Sequence, residues 1–244
     1  MSKIYEMIKK AEREREQTTR RDTATSVATR ETTGDTERNF NSTEEEYRRL
    51  RASLVLSAGI TELHTILITA PRHGEGTTRI ALGLATALAA EQGARVLLVE
   101  GNLRSPSLAR ILHLPDSPGL ADFLAGQANT DDLIQRVDWR NLSVVHAGTR
   151  PVPIDSEAIG TALARLQPQF DFVIVDTPPV NRYADASILA PKVDGVVLVV
   201  EADQTPVVDA ETAKRNLDRV GARILGVVLN RQKMYMPAWL QAFF

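Results

Sequence analysis

The chain has 244 residues, enough for one α/β domain of ordinary size with a real core, plus an extension. Its 29 basic and 31 acidic residues leave a formal charge of -2, which argues against a general nucleic-acid binder, since that role needs a basic excess to neutralise phosphates. There is no cysteine, so disulfides and thiolate chemistry are excluded, and four histidines without ligand-like pairing argue against an imidazole metal site.

In chain order, residues 2–16 place Ile4, Met7, Ile8 and Ala11 on one side of a charged helix. That stripe reads equally as a terminal helix lying on its own domain and as a partner-binding helix. Residues 17–42 are rich in Thr, Arg, Asp and Glu and nearly devoid of large apolar side chains, too little to offset the entropy of ordering; they read as a flexible linker. Ser42 and Thr43 each precede a glutamate by three residues, Glu45 and Glu46, the capping-box spacing, so a helix through EEEYRRLRASLVL opens the globular part at 43–244. Short apolar runs follow at HTILIT, RVLLV, LSVV, FVIV, GVVLVV and ILGVVLN, separated by helical segments or turns. Runs apolar on both faces suit buried parallel strands with crossover helices, so the expected fold is α/β, a doubly wound and mostly parallel sheet of the P-loop NTPase kind with a flexible N-terminal extension. The longest apolar stretch, 80–90, is interrupted by Gly83 and Thr86 and falls short of the roughly 20 residues of a membrane helix. The start of the chain has no apolar core of the secretory kind, and the location expected is cytoplasmic.

Three strand ends carry the chemistry. The first run leads into Ala70-Pro71-Arg72-His73-Gly74-Glu75-Gly76-Thr77-Thr78-Arg79 and then a helix, the layout that presents backbone N–H groups and a helix dipole to phosphate. A nucleotide loop needs Gly-Lys-Ser/Thr at its end, the lysine for the outer phosphates and the hydroxyl for magnesium. Here the lysine is missing, and by itself the loop is better read as a plain strand-to-helix turn. The run 172–175 ends in Asp176-Thr177-Pro178-Pro179, which places a carboxylate where P-loop proteins keep the aspartate associated with magnesium, or else a capping aspartate after a core strand. The run ending at Val99 continues as Glu100-Gly101-Asn102-Leu103-Arg104-Ser105-Pro106, again polar at the edge where open α/β sheets bind ligands.

With these motifs in view, the stretch from Glu45 to Asn230 resembles the cytoplasmic catalytic domain of the bacterial tyrosine kinases that regulate capsule and exopolysaccharide synthesis, relatives of the partitioning and cell-division-positioning ATPases. The resemblance implies ATP and Mg2+ as ligands wherever nucleotide binding is retained. It implies nucleotide contacts at Gly74, Glu75, Gly76, Thr77, Thr78 and Asn230, metal contacts at Thr78 and Asp176, and catalytic positions at Asp176, Glu100 and Asn102. It implies ring-like self-association through Glu45, Arg48 and Arg51, the family's Glu-x-x-Arg-x-x-Arg; on spacing alone those residues read as readily as a solvated charged face. Asp185 and Asn230 also match, and Gly119 to Gly126 resembles a scaffold segment.

The departures fall where chemistry is done. Thr77 stands at the lysine position, His73 at the proline, and Glu100 and Asn102 at the two aspartates of Asp-x-Asp-Leu-Arg-x-Pro. A lost charged hydrogen bond is worth about 1.5 to 3 kcal/mol in binding, and the effect on rate should be larger, because phosphoryl transfer depends on positioned charge. Arg72, His73 and Arg79 are the nearby candidates for a substitute cation, though a guanidinium lacks lysine's compact charge. The family's terminal tyrosine cluster is absent. Only Tyr235 stands in the last segment, among Trp239, Leu240, Phe243 and Phe244, which read as a tail packed on the domain or a partner. The expectation is a pseudokinase-like regulatory subunit, a homo-oligomer recruited to the inner face of the membrane by a polysaccharide co-polymerase. An active autokinase is the alternative, and a partitioning-type ATPase would need an early loop lysine.

Overall fold

Each of the six apolar runs is a strand. The computed structural model describes residues 44–54, 56, 63–91, 93–137, 139, 141–148 and 155–232. The expected helix at 2–16, the linker at 17–42, the Ser42 and Thr43 caps and Tyr235 with its apolar neighbours lie outside the described residues. Helix α1 covers 44–54. It is followed by β1 (Thr65–Thr69), α2 (Thr77–Ala89), β2 (Val96–Glu100), α3 (Leu108–Leu112), α4 (Leu120–Leu124), β3 (Gln135–Arg136) and β4 (Leu142–Val145). Then come α5 (Ser156–Leu166), β5 (Phe172–Asp176), α6 (Asp185–Leu189), β6 (Gly195–Glu201), α7 (Val207–Arg219) and β7 (Ile224–Asn230).

The strands form one sheet in the order β3-β4-β2-β5-β1-β6-β7. All neighbours are parallel except β3, which runs antiparallel to β4. The chain leaves β1 towards β2 and β4 on one side and crosses from β5 past β1 to β6 and β7 on the other, so the sheet is doubly wound as the pattern predicts. β3 is the strand that the pattern misses: two polar residues carry no apolar run.

Every residue of β1, β2 and β4 is buried, because helices cover both faces. Successive side chains point to opposite faces, and two cores result. Ile66, Ile68, Leu98 and Ile174 meet Leu82, Ala85 and Leu88 of α2 on one face, with Leu54 and the partly buried Tyr47 and Leu50 of α1 behind them. Leu67, Leu97, Val173 and Val175 meet α5 through Ile159 and Leu163, and α7 through Ala213 and Leu217, on the other. Each large aliphatic side chain so buried contributes about 1.5 to 3 kcal/mol.

The close seating of α1 depends on a glycine. The Tyr47 ring occupies the space a Cβ at Gly83 of α2 would need, and the Tyr47 hydroxyl donates to the Arg79 carbonyl at 3.3 Å. Helix α1 therefore rests on α2, the helix that follows the loop after β1.

Candidate phosphate-loop site

The register brings three strand ends together: Ile68 of β1 and Glu100 of β2 both lie opposite Asp176 at the end of β5. Thr177 then fastens the third motif to the first strand, donating its N–H (3.0 Å) and its hydroxyl (2.8 Å) to the Ile68 carbonyl. Thr69 returns a hydroxyl to the Pro178 carbonyl at 3.0 Å.

The loop between β1 and α2 turns on two glycines, Gly74 and Gly76, both at φ +92°, a conformation that costs other residues steric strain. Gly76 is the N-cap of α2. The amide of Asn230, at the end of β7, donates to the Glu75 carbonyl at 2.8 Å and fills the space where a Gly76 Cβ would stand. The Glu75 side chain turns inward and is only 4% exposed. One of its oxygens accepts from the Thr205 hydroxyl at 2.7 Å, while Oε2 is buried with no partner among the described residues. Burial pushes the Glu75 pKa up, against the opposing pull of the Thr205 hydrogen bond.

At the first turn of α2, the Thr78 hydroxyl donates to Asp176 Oδ2 at 2.5 Å. Asp176 is fully buried, and its Oδ1 has no partner among the described residues. Burial first, and then the neighbouring Glu100 carboxylate, push its pKa up to about 7, against hydrogen bonds from Thr78 and Thr77.

Glu100 is engaged elsewhere. Its Oε1 accepts from the backbone N–H groups of Ser107 and Leu108, the latter at 2.8 Å, and its Oε2 from Ala147 N–H at 3.0 Å. It thus ties the start of α3 and the end of β4 to β2. Burial raises its pKa while the three N–H groups act to lower it. Asn102, 8% exposed, keeps Oδ1 buried without a partner among the described residues. Gly101 between them donates to the Asp176 carbonyl at 2.8 Å, and a Cβ there would sit 2.9 Å from that oxygen.

Among the described residues, no lysine stands in the loop. The described lysines are Lys192 and Lys214, paired with Glu157 and Asp218. Arg72 lies 3.7 Å from Asp209. Arg104 lies 3.3 Å from the buried Asp185 and stacks 4.2 Å over the Tyr183 ring. Tyr183 and Thr205 have no motif around them, and nothing in the sequence singled them out.

The three residues expected to drive assembly do not share one environment. Arg48 pairs with Glu44 at 2.8 Å and Glu45 at 3.6 Å along α1, at the surface, whereas Arg51 reaches across to Glu91 beyond the end of α2.

A family model described as ParA, the NUBPL iron-transfer P-loop NTPases, matches residues 62–242. The tyrosine-protein kinase YwqD of Bacillus subtilis (strain 168) is 30% identical over 196 residues, covering 78% of this chain and 81% of its own. The chain belongs to the bacterial tyrosine-kinase family of P-loop NTPases. Among solved structures, the chimerical protein CapA2B2 superposes with TM-score 0.71 at 32% identity, over 78% of this chain and 85% of its own. The septum site-determining protein MinD from Pyrococcus horikoshii OT3, complexed with Mg-ADP, superposes with TM-score 0.62 at 25% identity, over 73% of this chain and 75% of its own. As in sequence, no helix among the described residues is long and apolar enough to cross a membrane. The family's P-loop implies a nucleotide and Mg2+ in general, and the donor set fits the cation half of that pair. Asp176 offers a buried, unpartnered carboxylate oxygen beside a threonine hydroxyl, hard donors of the kind magnesium takes.

Proposed function

We propose that this chain is a pseudokinase-like regulatory subunit of capsule or exopolysaccharide synthesis and export, acting through self-association and through a membrane co-polymerase that recruits it from the cytoplasm to the inner face of the membrane. The observation that carries this reading is the charge at the loop. Thr77 stands at the lysine position, the described lysines are paired elsewhere, and Glu75, Glu100 and Asp176 put three buried acids around the same strand ends. Phosphoryl transfer is catalysed almost entirely by positioned positive charge and oriented groups, so this arrangement lacks its main lever.

Binding is a separate matter. Thr78 and Asp176 would hold Mg2+, the loop N–H groups from Gly74 to Thr78 and the dipole of α2 would receive phosphates, and Asn230, which stands against the loop, would contact the nucleotide. Mg-ATP, when bound, would supply the transferable phosphoryl group, and the residues above would hold and orient it. The Thr78–Asp176 contact also favours the second reading, an active ATP-dependent tyrosine autokinase with an unusual loop. Residues 43–244 form the domain in this proposal, and residues 1–42 an extension to it.

Calorimetric titration with Mg-ATP and a phosphate-release assay decide between the two. The wild-type chain should show no turnover. Thr77→Lys should tighten nucleotide binding by about 1.5 to 3 kcal/mol, the worth of a charged hydrogen bond, while restoring little turnover, because Glu100 and Asn102 remain. Robust turnover by the unmodified chain rejects the pseudokinase reading and promotes the autokinase, whose own mark is phosphate on tyrosine.

A further inference from the structure

The last strand leaves apolar surface bare. Among the described residues β7 is the terminal strand of the sheet, paired only with β6. Val227 and Leu229, two residues apart and so on one face, are 61% and 53% exposed, while Val228 on the opposite face packs against the core. Their partners in register are Leu198 and Val200, so the bare face is the one that α7 covers over β6 and leaves open over β7. Val207 and Val208 in the first turn of α7 are exposed as well. An open edge with apolar side chains is a surface that natural sheets normally cover or charge.

The chain itself supplies a cover. Seven of the residues in 233–244 are large and apolar, Trp239, Leu240, Phe243 and Phe244 among them, and Lys233 is the only charged one. This segment begins three residues past the end of β7. The exit is fixed: Arg231 adopts φ +57°, its N–H donates to the Asn230 side chain at 2.9 Å, and its guanidinium reaches Glu201 at 2.8 Å. A strand of seven residues is about 23 Å long, and twelve residues extend to about 40 Å, so the segment can return along the whole edge.

We propose that residues 233–244 fold back in cis over the outer face of β7, against Val227 and Leu229, and close the edge of the sheet. Tethering favours this occupant over a second copy, because a short linker holds the segment at an effective concentration of about a millimolar. The near-absence of charge disfavours an anionic lipid surface, which recruits through clusters of Lys and Arg. This inference does not depend on whether the chain is a kinase.

Trp239 reports on it directly. The other tryptophan, Trp139, packs against the first core with its ring N–H unpartnered among the described residues, so Trp139→Phe leaves a single fluorophore at little cost. In that chain the emission of Trp239 should lie well to the blue of the urea-unfolded value and stay there on hundred-fold dilution. Val227→Asp with Leu229→Asp should shift it red and raise its quenching by acrylamide several-fold. In a second variant, Trp239→Ser with Phe243→Ser, the described domain is untouched, and amide exchange should accelerate in β7 while β1 and β5 stay protected. Four results would each overturn the proposal: a water-exposed Trp239 in the parent, β7 exchange indifferent to the tail substitutions, a blue shift lost on dilution, which means a second copy, or one present only with mixed phosphatidylcholine and phosphatidylserine vesicles, which means a membrane.

Discussion

The end of β5 and the end of β2 are neighbours in the sheet, and both carry a buried carboxylate, yet the two acids live in opposite surroundings. Asp176 has Oδ2 on the Thr78 hydroxyl, and its Oδ1 has no hydrogen-bond partner among the described residues. Glu100 has both oxygens on backbone N–H groups, three in all. A buried carboxylate with an empty lone-pair direction is poised for a ligand and costs stability; one fully occupied by backbone is a fastening. The difference separates an acid with an oxygen free of hydrogen bonds among the described residues from one that fastens the fold. It also says why restoring the second loop is harder than changing one letter: aspartate at 100 is one methylene shorter and cannot hold α3 and β4 at once.

The sharpest way to break this contrast is to remove each acid in turn. Glu100→Ala strands three N–H groups in a buried setting, each worth about 1 to 3 kcal/mol when left unsatisfied, so urea denaturation should report a loss of about 5 kcal/mol. Glu100→Asp should lose part of that and gain no nucleotide affinity. If Glu100→Ala costs less than about 1 kcal/mol, Glu100 is no fastening and the contrast collapses.

Asp176→Asn should do the reverse and stabilise the fold, but only at the higher pH. The folded chain holds a proton on Asp176 up to about pH 7, whereas the unfolded chain releases it near 3.8. Between those values the folded state binds more protons, so stability falls as pH rises through the window, and the cost is complete above pH 7. At 1.36 kcal/mol per unit the ceiling is about 4 kcal/mol. Asparagine carries no charge and still offers the Thr78 hydroxyl an acceptor. Thermal melts should show the variant several degrees above wild type at pH 8, with the gap narrowing towards pH 5. A gap that is constant with pH would mean that Asp176 is ionised in the fold throughout.

Much of this was legible in the sequence, for reasons that differ by residue. β1, β2, β4, β5 and β6 are apolar runs because both faces of the sheet are covered, and the doubly wound fold follows; β7 is apolar as well although Val227 and Leu229 on one of its faces are exposed. The meeting of Thr78 with Asp176 follows from motif order. What was illegible depends on partners distant in sequence. The direction of the Glu100 carboxylate is set by N–H groups 7 to 47 residues downstream. The inward turn of Glu75 is set by Thr205, and the bulk of Tyr47 makes sense only beside Gly83. Spacing alone put Glu45, Arg48 and Arg51 on one helix face, and it could not reveal that Arg51 answers to Glu91.

That last division yields the smallest expected effect. If Glu45 and Arg48 mediate self-association, they must exchange pairs within α1 for pairs with a neighbour. Exposed ion pairs are worth about 0.2 to 1 kcal/mol, so the net gain per contact is small, and salt screens it. Arg48→Ala should therefore lower the sedimentation-average mass at low ionic strength, with the difference from wild type fading in 0.5 M salt, a concentration at which the Debye length is only about 4 Å. The melting temperature should barely move. Arg51→Ala should behave differently, because it releases Glu91 and loosens α1 on α2, so its signature is a lower melting temperature with any loss of mass following from it. Arg48→Ala that leaves the mass unchanged at low salt removes Arg48 from the assembly surface. Two variants that change mass and melting temperature in step would mean that α1 acts as one unit, with no division of labour between its two arginines.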